Sequence, residues 1–297
     1  MTGSIRAKSR RWQVRRTAAG IIRAGFAAIA LLVILPAMSP ASNANTPRRI
    51  VSLHLCADQY LLALGQDPQI AALSPYAHDR TLSFMAPQAD RYPDIRAAAE
   101  VVVRFKPDLA LAGPFTSAPL RRALVRQGIE VLELAPVTSI AGLRRQIARI
   151  SAALGAPERG DAMVARLDAA LARLRDRGAG VRTLYLQRRG IVMGSDTLLG
   201  AIFRRAGLIN AAARFGVTGV RRIGLEAIVR SKPQLLILND RSKDAEDQGS
   251  ALLHHPAIAR LARGRSRIVL PVREIVCPGP ATIAAITRLA RALAARY

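Results

Sequence analysis

Four arginines could grip an anion: Arg188, Arg189, Arg241 and Arg273. A guanidinium is a planar fork of donors that pairs with carboxylate, catecholate or phosphate oxygens. Tyr76, Phe84, Phe115 and Tyr185 offer apolar or stacking contacts, and Tyr76 with His78 could ligate a haem iron. Cys56 and Cys277 are the only cysteines. In an oxidising compartment two cysteines pair by default; the alternative is two thiols that touch a metal-bearing ligand. His254 and His255 precede Pro256 with no other ligand type nearby, which reads as an exposed turn and not a metal site. No nucleophile motif frames the Asp, His and Ser residues. Ser52-Leu53-His54-Leu55-Cys56 contains no glycine to cradle a phosphate. No catalytic residue is assigned, and no enzyme is expected; a periplasmic enzyme on a doubly wound α/β fold stays as an alternative, because fold alone does not exclude it.

The elements that must hold these residues have an α/β pattern. Ile50 to Leu53 is a first strand, followed by a helix from about Asp58 to Leu64 that ends at Gly65. Ile70 to Leu73, Leu109 to Ala112 and Ile129 to Leu134 are further strands, with a helix from Pro119 to Arg126 between the last two. Later come the strand Thr183 to Leu186, a helix near Thr197 to Ala206, strands Leu235 to Leu238 and Ile268 to Leu270, and a final helix from Pro280. Continuous apolar runs of this length fit strands buried on both faces of a parallel sheet.

One unit occurs twice. Glu100-Val-Val-Val-Arg-Phe-Lys106-Pro107-Asp108-Leu-Ala-Leu-Ala112 aligns with Glu226-Ala-Ile-Val-Arg-Ser-Lys232-Pro233-Gln234-Leu-Leu-Ile-Leu238 at an offset of 126 residues. In each copy a short helix stops before Lys-Pro, because proline cannot continue it and biases its predecessor towards extended backbone. Two copies predict two Rossmann-like lobes with mainly parallel sheets, at 45–154 and 181–297. Between them, 155–180 reads as one long linker helix. Pro157 and the acids Glu158 and Asp161 mark its start; Arg173, Arg175, Arg177 and Gly178 mark its end. Met163, Val164, Leu167, Leu171 and Leu174 form its apolar stripe. About twenty helical residues span about 30 Å, so the lobes should move little.

Residues 1–44 have the order of a secretory signal peptide: a basic stretch from Arg6 to Arg16, an apolar run from Ala24 to Met38, and small residues before a cleavage site near Ala44. Ser9-Arg10-Arg11-Trp12 approaches a twin-arginine signal, but Gln13 stands where an apolar residue is expected, so Sec and twin-arginine export both stay open. The chain carries 45 basic and 20 acidic residues, a net +25. The leader holds seven basic residues and no acid, which leaves +18 once it is removed. That charge is scattered arginine, without the interleaved aromatics of a single-strand binder, so nucleic acid is not the expected partner.

From Arg49 onward the chain resembles the periplasmic solute-binding proteins of ABC importers that take ferric siderophores, haem or cobalamin. The resemblance is carried by Arg49-Ile-Val-Ser-Leu53, Leu61-Leu-Ala-Leu-Gly65, Lys106-Pro107-Asp108-Leu109, Gly128-Ile129, Ala206-Gly207-Leu208-Ile209-Asn210, Leu225-Glu226-Ala227 and Lys232-Pro233. It implies a monomer with no intrinsic cofactor. The ligand, a ferric chelate or cobalamin, would sit in the cleft between the lobes, with haem as the alternative. It also implies an inner-membrane permease as partner, docked through Glu100 and Glu226. The cleft loops that follow the predicted strands carry the expected ligand-binding residues: His54, Cys56, Tyr76, Phe115, Arg188, Arg189, Arg241, Arg273 and Cys277. A disulfide between Cys56 and Cys277 would tie the lobes across that cleft. Cobalamin-binding members pack the corrin with tryptophan. None remains here after the leader, which favours an anionic iron chelate.

Overall fold

The computed structural model describes residues 46–239, 248–263 and 267–297. The expected leader and Arg241 lie outside them. In the first lobe, β1 (Ile50–Ser52), β2 (Ile70–Ala72), β3 (Leu109–Ala112) and β4 (Glu130–Glu133) form a four-stranded sheet in the order β2-β1-β3-β4. Every pairing in it is parallel. β1 and β3 are buried at every residue, which is why they read as unbroken apolar runs. The lobe's helices are α1 (Leu55–Leu64), α2 (Ala86–Ala89), α3 (Ala99–Arg104), α4 (Ala118–Arg126) and α5 (Ile140–Ala153). α1 starts before Asp58 because His54 caps it, a role that this side chain gave no sign of in sequence.

α6 (Pro157–Leu174) links the lobes and packs on α5. Its 18 residues span about 27 Å. Met163, Leu167, Leu171 and Leu174 are buried along one face. The helix ends earlier than the basic run predicts: Arg175 leaves the helical region and Asp176 takes a left-handed φ of 53°.

The second lobe contains β5 (Arg182–Leu186), β6 (Ile191–Met193), β7 (Ile209–Asn210), β8 (Val220–Arg222), β9 (Leu235–Asn239) and β10 (Arg267–Leu270). The order is β10-β9-β5-β6-β8, with β7 also beside β5. β10, β9, β5 and β7 run parallel, whereas β6 is antiparallel to both β5 and β8. That antiparallel ribbon was not expected. β8 is exposed at every residue and shows no alternation. Helices α7 (Leu198–Arg205), α8 (Leu225–Arg230), α9 (Gln248–His254), α10 (Pro256–Leu261), α11 (Val272–Ile275) and α12 (Pro280–Ala294) complete the lobe.

The internal repeat is physical as well as textual. Lys106 and Lys232 both take left-handed φ, 46° and 44°, so the residue before each proline is not extended as anticipated. Its N–H closes the last turn of the helix instead, onto Val103 in one copy and Val229 in the other. Asp108 accepts from the Arg49 N–H at 3.0 Å, and Gln234 accepts from the Arg182 N–H at 3.0 Å. Each arginine returns its Nε–H to the helix end, at Phe105 or Lys232. Equivalent clasps thus fix β1 to α3 and β5 to α8. The apolar core does not stop at the lobe boundary: Leu64, Leu143, Leu167, Phe203 and Leu289 belong to one contiguous cluster.

Candidate functional site

The first lobe supplies an apolar wall. It is a depression of about 570 Å³ lined by Leu53, His54, Tyr76, Leu82, Phe115 and neighbours, at the C-terminal ends of β1 and β3. His54 accepts the Cys56 N–H at Nδ1, 3.2 Å, which leaves the ring proton on Nε2. Burial pushes its pKa down, so the ring is neutral and presents a donor. Gly113 makes room for it: a Cβ there would lie 2.3 Å from the imidazole. Phe115 stands beside His54, ring centroids 6.2 Å apart, and is 89% exposed. Its loop closes on itself through the Gly113 N–H and Thr116 Oγ1, 3.0 Å. Tyr76, 60% exposed, rides on the turn Pro75–His78. Asp58 of α1 holds the base of that turn, accepting the Ser74 N–H at 2.9 Å and its hydroxyl at 2.5 Å. Burial pushes the Asp58 carboxyl up to about 7, against opposing hydrogen bonds from Ser52 and Ser74.

The second lobe supplies a cationic wall, a depression of about 400 Å³ lined by Leu82, Gln187, Arg188, Arg189, Asn239 and Val276 among others. The two walls meet at Leu82. Arg188 and Arg189 occupy the tight turn between β5 and β6, where Arg189 and Gly190 both take left-handed φ, 59° and 72°. A Cβ on Gly190 would strike the Ile223 carbonyl at 2.3 Å, so the turn demands glycine there. A non-glycine residue held left-handed is uncommon, and Lys106, Asp176 and Lys232 share the conformation with Arg189.

Cys56, at the start of α1, and Cys277, between α11 and α12, are joined by a disulfide with Cα atoms 5.1 Å apart. Arg273 is exposed and reaches from α11 to the Arg80 carbonyl of the first lobe at 3.5 Å, so it bridges the lobes and does not line either wall. Tyr185 is 1% exposed and bonded to Gln187, a core residue and not a contact surface. Phe84 lines a different depression. His78 buries its Nε2 and has its Nδ1 3.8 Å from Asp90. Leu82 and Asp58 join the site without having been singled out for it in sequence, whereas Gly113 and Gln187 lie in loops expected to face the cleft. Glu100 and Glu226 are exposed in the first turns of α3 and α8 and line neither wall. Among the described residues no cluster of three or more His, Cys, Asp or Glu could hold a metal ion. No helix there is long and apolar enough to cross a membrane.

A sequence profile described as "Periplasmic binding protein" matches residues 50–269. The chain belongs to the periplasmic binding protein family. It is 24% identical over 264 residues to a "Cobalamin-binding protein" of Halobacterium salinarum, covering 84% of this chain and 70% of that one. Among solved structures it resembles the periplasmic heme-binding protein RhuT from Roseiflexus sp. RS-1 in apo form, with a TM-score of 0.69 and 24% identity over 84% of this chain and 98% of that one. The periplasmic vitamin B12 binding protein BtuF of Vibrio cholerae gives 0.63 and 19%, over 85% and 99%. The heme-binding protein HutB of the same organism gives 0.67 and 20%, over 82% and 98%. These structural likenesses establish the fold. As a periplasmic binding protein the chain is a binder and not an enzyme, and its family suggests a periplasmic location.

Proposed function

We propose that this chain is the substrate-binding component of an ABC importer and that its ligand is an anionic metal macrocycle of the haem type. One observation carries the reading: exposed Tyr76 and Phe115 on one wall of the cleft, with Arg188 and Arg189 on the other. A flat ligand with apolar faces and peripheral carboxylates satisfies both walls at once. The Tyr76 phenol is a suitable ferric ligand. His54, with its proton on Nε2, supplies a donor and does not compete for the metal. The sequence ranks a ferric siderophore or cobalamin first; the aromatic pair opposite the arginines moves haem ahead. RhuT and HutB, which are heme-binding, support this reading. Cobalamin is the second reading, favoured by the name of the Halobacterium relative. The absence of tryptophan from 45–297 counts against it.

Titration of the purified chain with hemin, cyanocobalamin and a ferric catecholate tests the choice. Hemin should bind most tightly, with a Soret shift that changes in Tyr76→Phe. Its affinity should fall with salt and fall about tenfold or more in Arg188→Glu/Arg189→Glu. Tight, salt-insensitive cobalamin binding together with weak hemin binding overturns the ranking.

The leader, cleaved near Ala44, would deliver the chain to the periplasm as a monomer. There Glu100 and Glu226 would dock it on the permease. Among the described residues Glu226 pairs only with Arg230, at 3.2 Å, both side chains being mostly exposed. Such a surface pair is weak and exchanges readily. Charge reversal at both glutamates should abolish uptake in cells and leave hemin affinity in solution unchanged. A large loss of solution affinity would remove the docking role.

A further inference from the structure

We propose a second ligand site, separate from the cleft, for an amphipathic monocarboxylate. An open depression of about 830 Å³ lies where α1, α6 and α12 meet the 84–85 segment. It shares no lining residue with either cleft wall. Its apolar surface comes from Leu62, Phe84, Met85 and Ile283. The one carboxylate in its lining, Glu274, is 3% exposed and held by the Arg288 guanidinium at 2.5 and 2.8 Å. That pairing leaves two more guanidinium groups in the lining, Arg166 from α6 and Arg291 from α12. Both are exposed, and neither has an ion pair or side-chain hydrogen bond among the described residues.

The charge and the apolar area select the ligand class together. A bare anion would neutralise the arginines and leave the apolar surface wet. A neutral hydrocarbon would cover that surface and leave the cations unanswered. An alkyl chain or ring system ending in one carboxylate does both, with the head between Arg166 and Arg291 and the body over Phe84 and Ile283. The lining draws on the first lobe, the linker helix and the second lobe. An occupant would therefore touch all three, and binding to the folded state alone raises the melting temperature.

Calorimetry and thermal melts of the full chain with dodecanoate, below its micelle concentration, test the proposal. Dodecanol and dodecyltrimethylammonium serve as neutral and cationic controls. Dodecanoate should bind and raise the melting temperature, and both controls should bind about tenfold or more weakly. Arg166→Glu/Arg291→Glu should lower dodecanoate affinity about tenfold or more, and Arg166→Gln/Arg291→Gln should lower it less. Phe115→Ala, in the cleft, should leave it unchanged. No binding of dodecanoate, equal binding of dodecanol, indifference to both double variants, or loss on Phe115→Ala each overturns the site.

Discussion

Asp58 has no solvent exposure, yet its carboxyl supports the turn that presents Tyr76. Its pKa, about 7 in the fold through burial, exceeds the ordinary carboxylate value near 4 of the unfolded chain. The native state therefore keeps a proton that the unfolded state releases. The stability linked to this group is full below about pH 4, falls as pH rises towards 7, and is flat above. Asp58→Asn removes the titration and keeps an acceptor for the Ser74 N–H. The variant should gain on the native chain by roughly 2–4 kcal/mol between pH 4.5 and pH 8 in denaturant melts. A constant difference across that range would show that Asp58 titrates normally. At this scale residue type is informative in sequence and partnership is not. Tyr76, Phe115, Arg188 and Arg189 declare their chemistry by type. Asp58 and Gly113 matter only through Ser74 and His54, which the fold brings to them, and Tyr185 looked like a contact until burial removed it.

Among the elements, the paired helix–Lys-Pro–strand units were legible because proline and an apolar strand leave a mark in any frame. The left-handed lysines were not, since proline alone points to extended backbone. β6 and β8 were missed because three-residue strands carry too little alternation, and β8 is exposed throughout. The α5–α6 contact was also invisible. Gly160 of α6 lies so close to α5 that a Cβ would fall 2.0 Å from Ser151 Oγ and 2.6 Å from its Cβ. Two effects oppose each other in Gly160→Ala. Helix propensity gains about 1 kcal/mol, whereas overpacking costs about 1–3 kcal/mol. Overpacking should win, with a net loss of about 1 kcal/mol read from urea midpoints. Adding Ser151→Gly, which opens the space, should recover part of it. A net gain from Gly160→Ala alone would mean that the two helices separate easily.

At the scale of the whole molecule, the lobes are joined by α6, by a shared apolar core and by the Cys56–Cys277 bond, besides the Arg273–Arg80 contact. A core that runs through the linker leaves little freedom for wide opening, so ligand exchange should involve side chains and loops more than lobe rotation. The bond spans 221 residues, and loop-closure entropy of that length is worth up to about 5 kcal/mol in the chain-entropy model. Cys56→Ser/Cys277→Ser should lower unfolding stability by about 2–5 kcal/mol in oxidising buffer. The same variant should match the native chain in reducing buffer. Equal stability in oxidising buffer would show that the core alone fixes the lobes. Two α/β lobes and a linker were readable from the repeat and the helix signals. A core common to both lobes was not, because sequence periodicity shows which face of a helix is apolar and not what lies against it.

The same bond turns most of the backbone into a closed ring. A protease that cuts one peptide bond between residues 56 and 277 severs the chain without freeing a fragment, because the two ends remain held by sulfur. Such a nick would be silent on a gel run without reductant and would show as two bands only after thiol treatment. Damage inside the ring could thus accumulate in an intact-looking molecule, whereas a cut after Cys277 would release its piece at once.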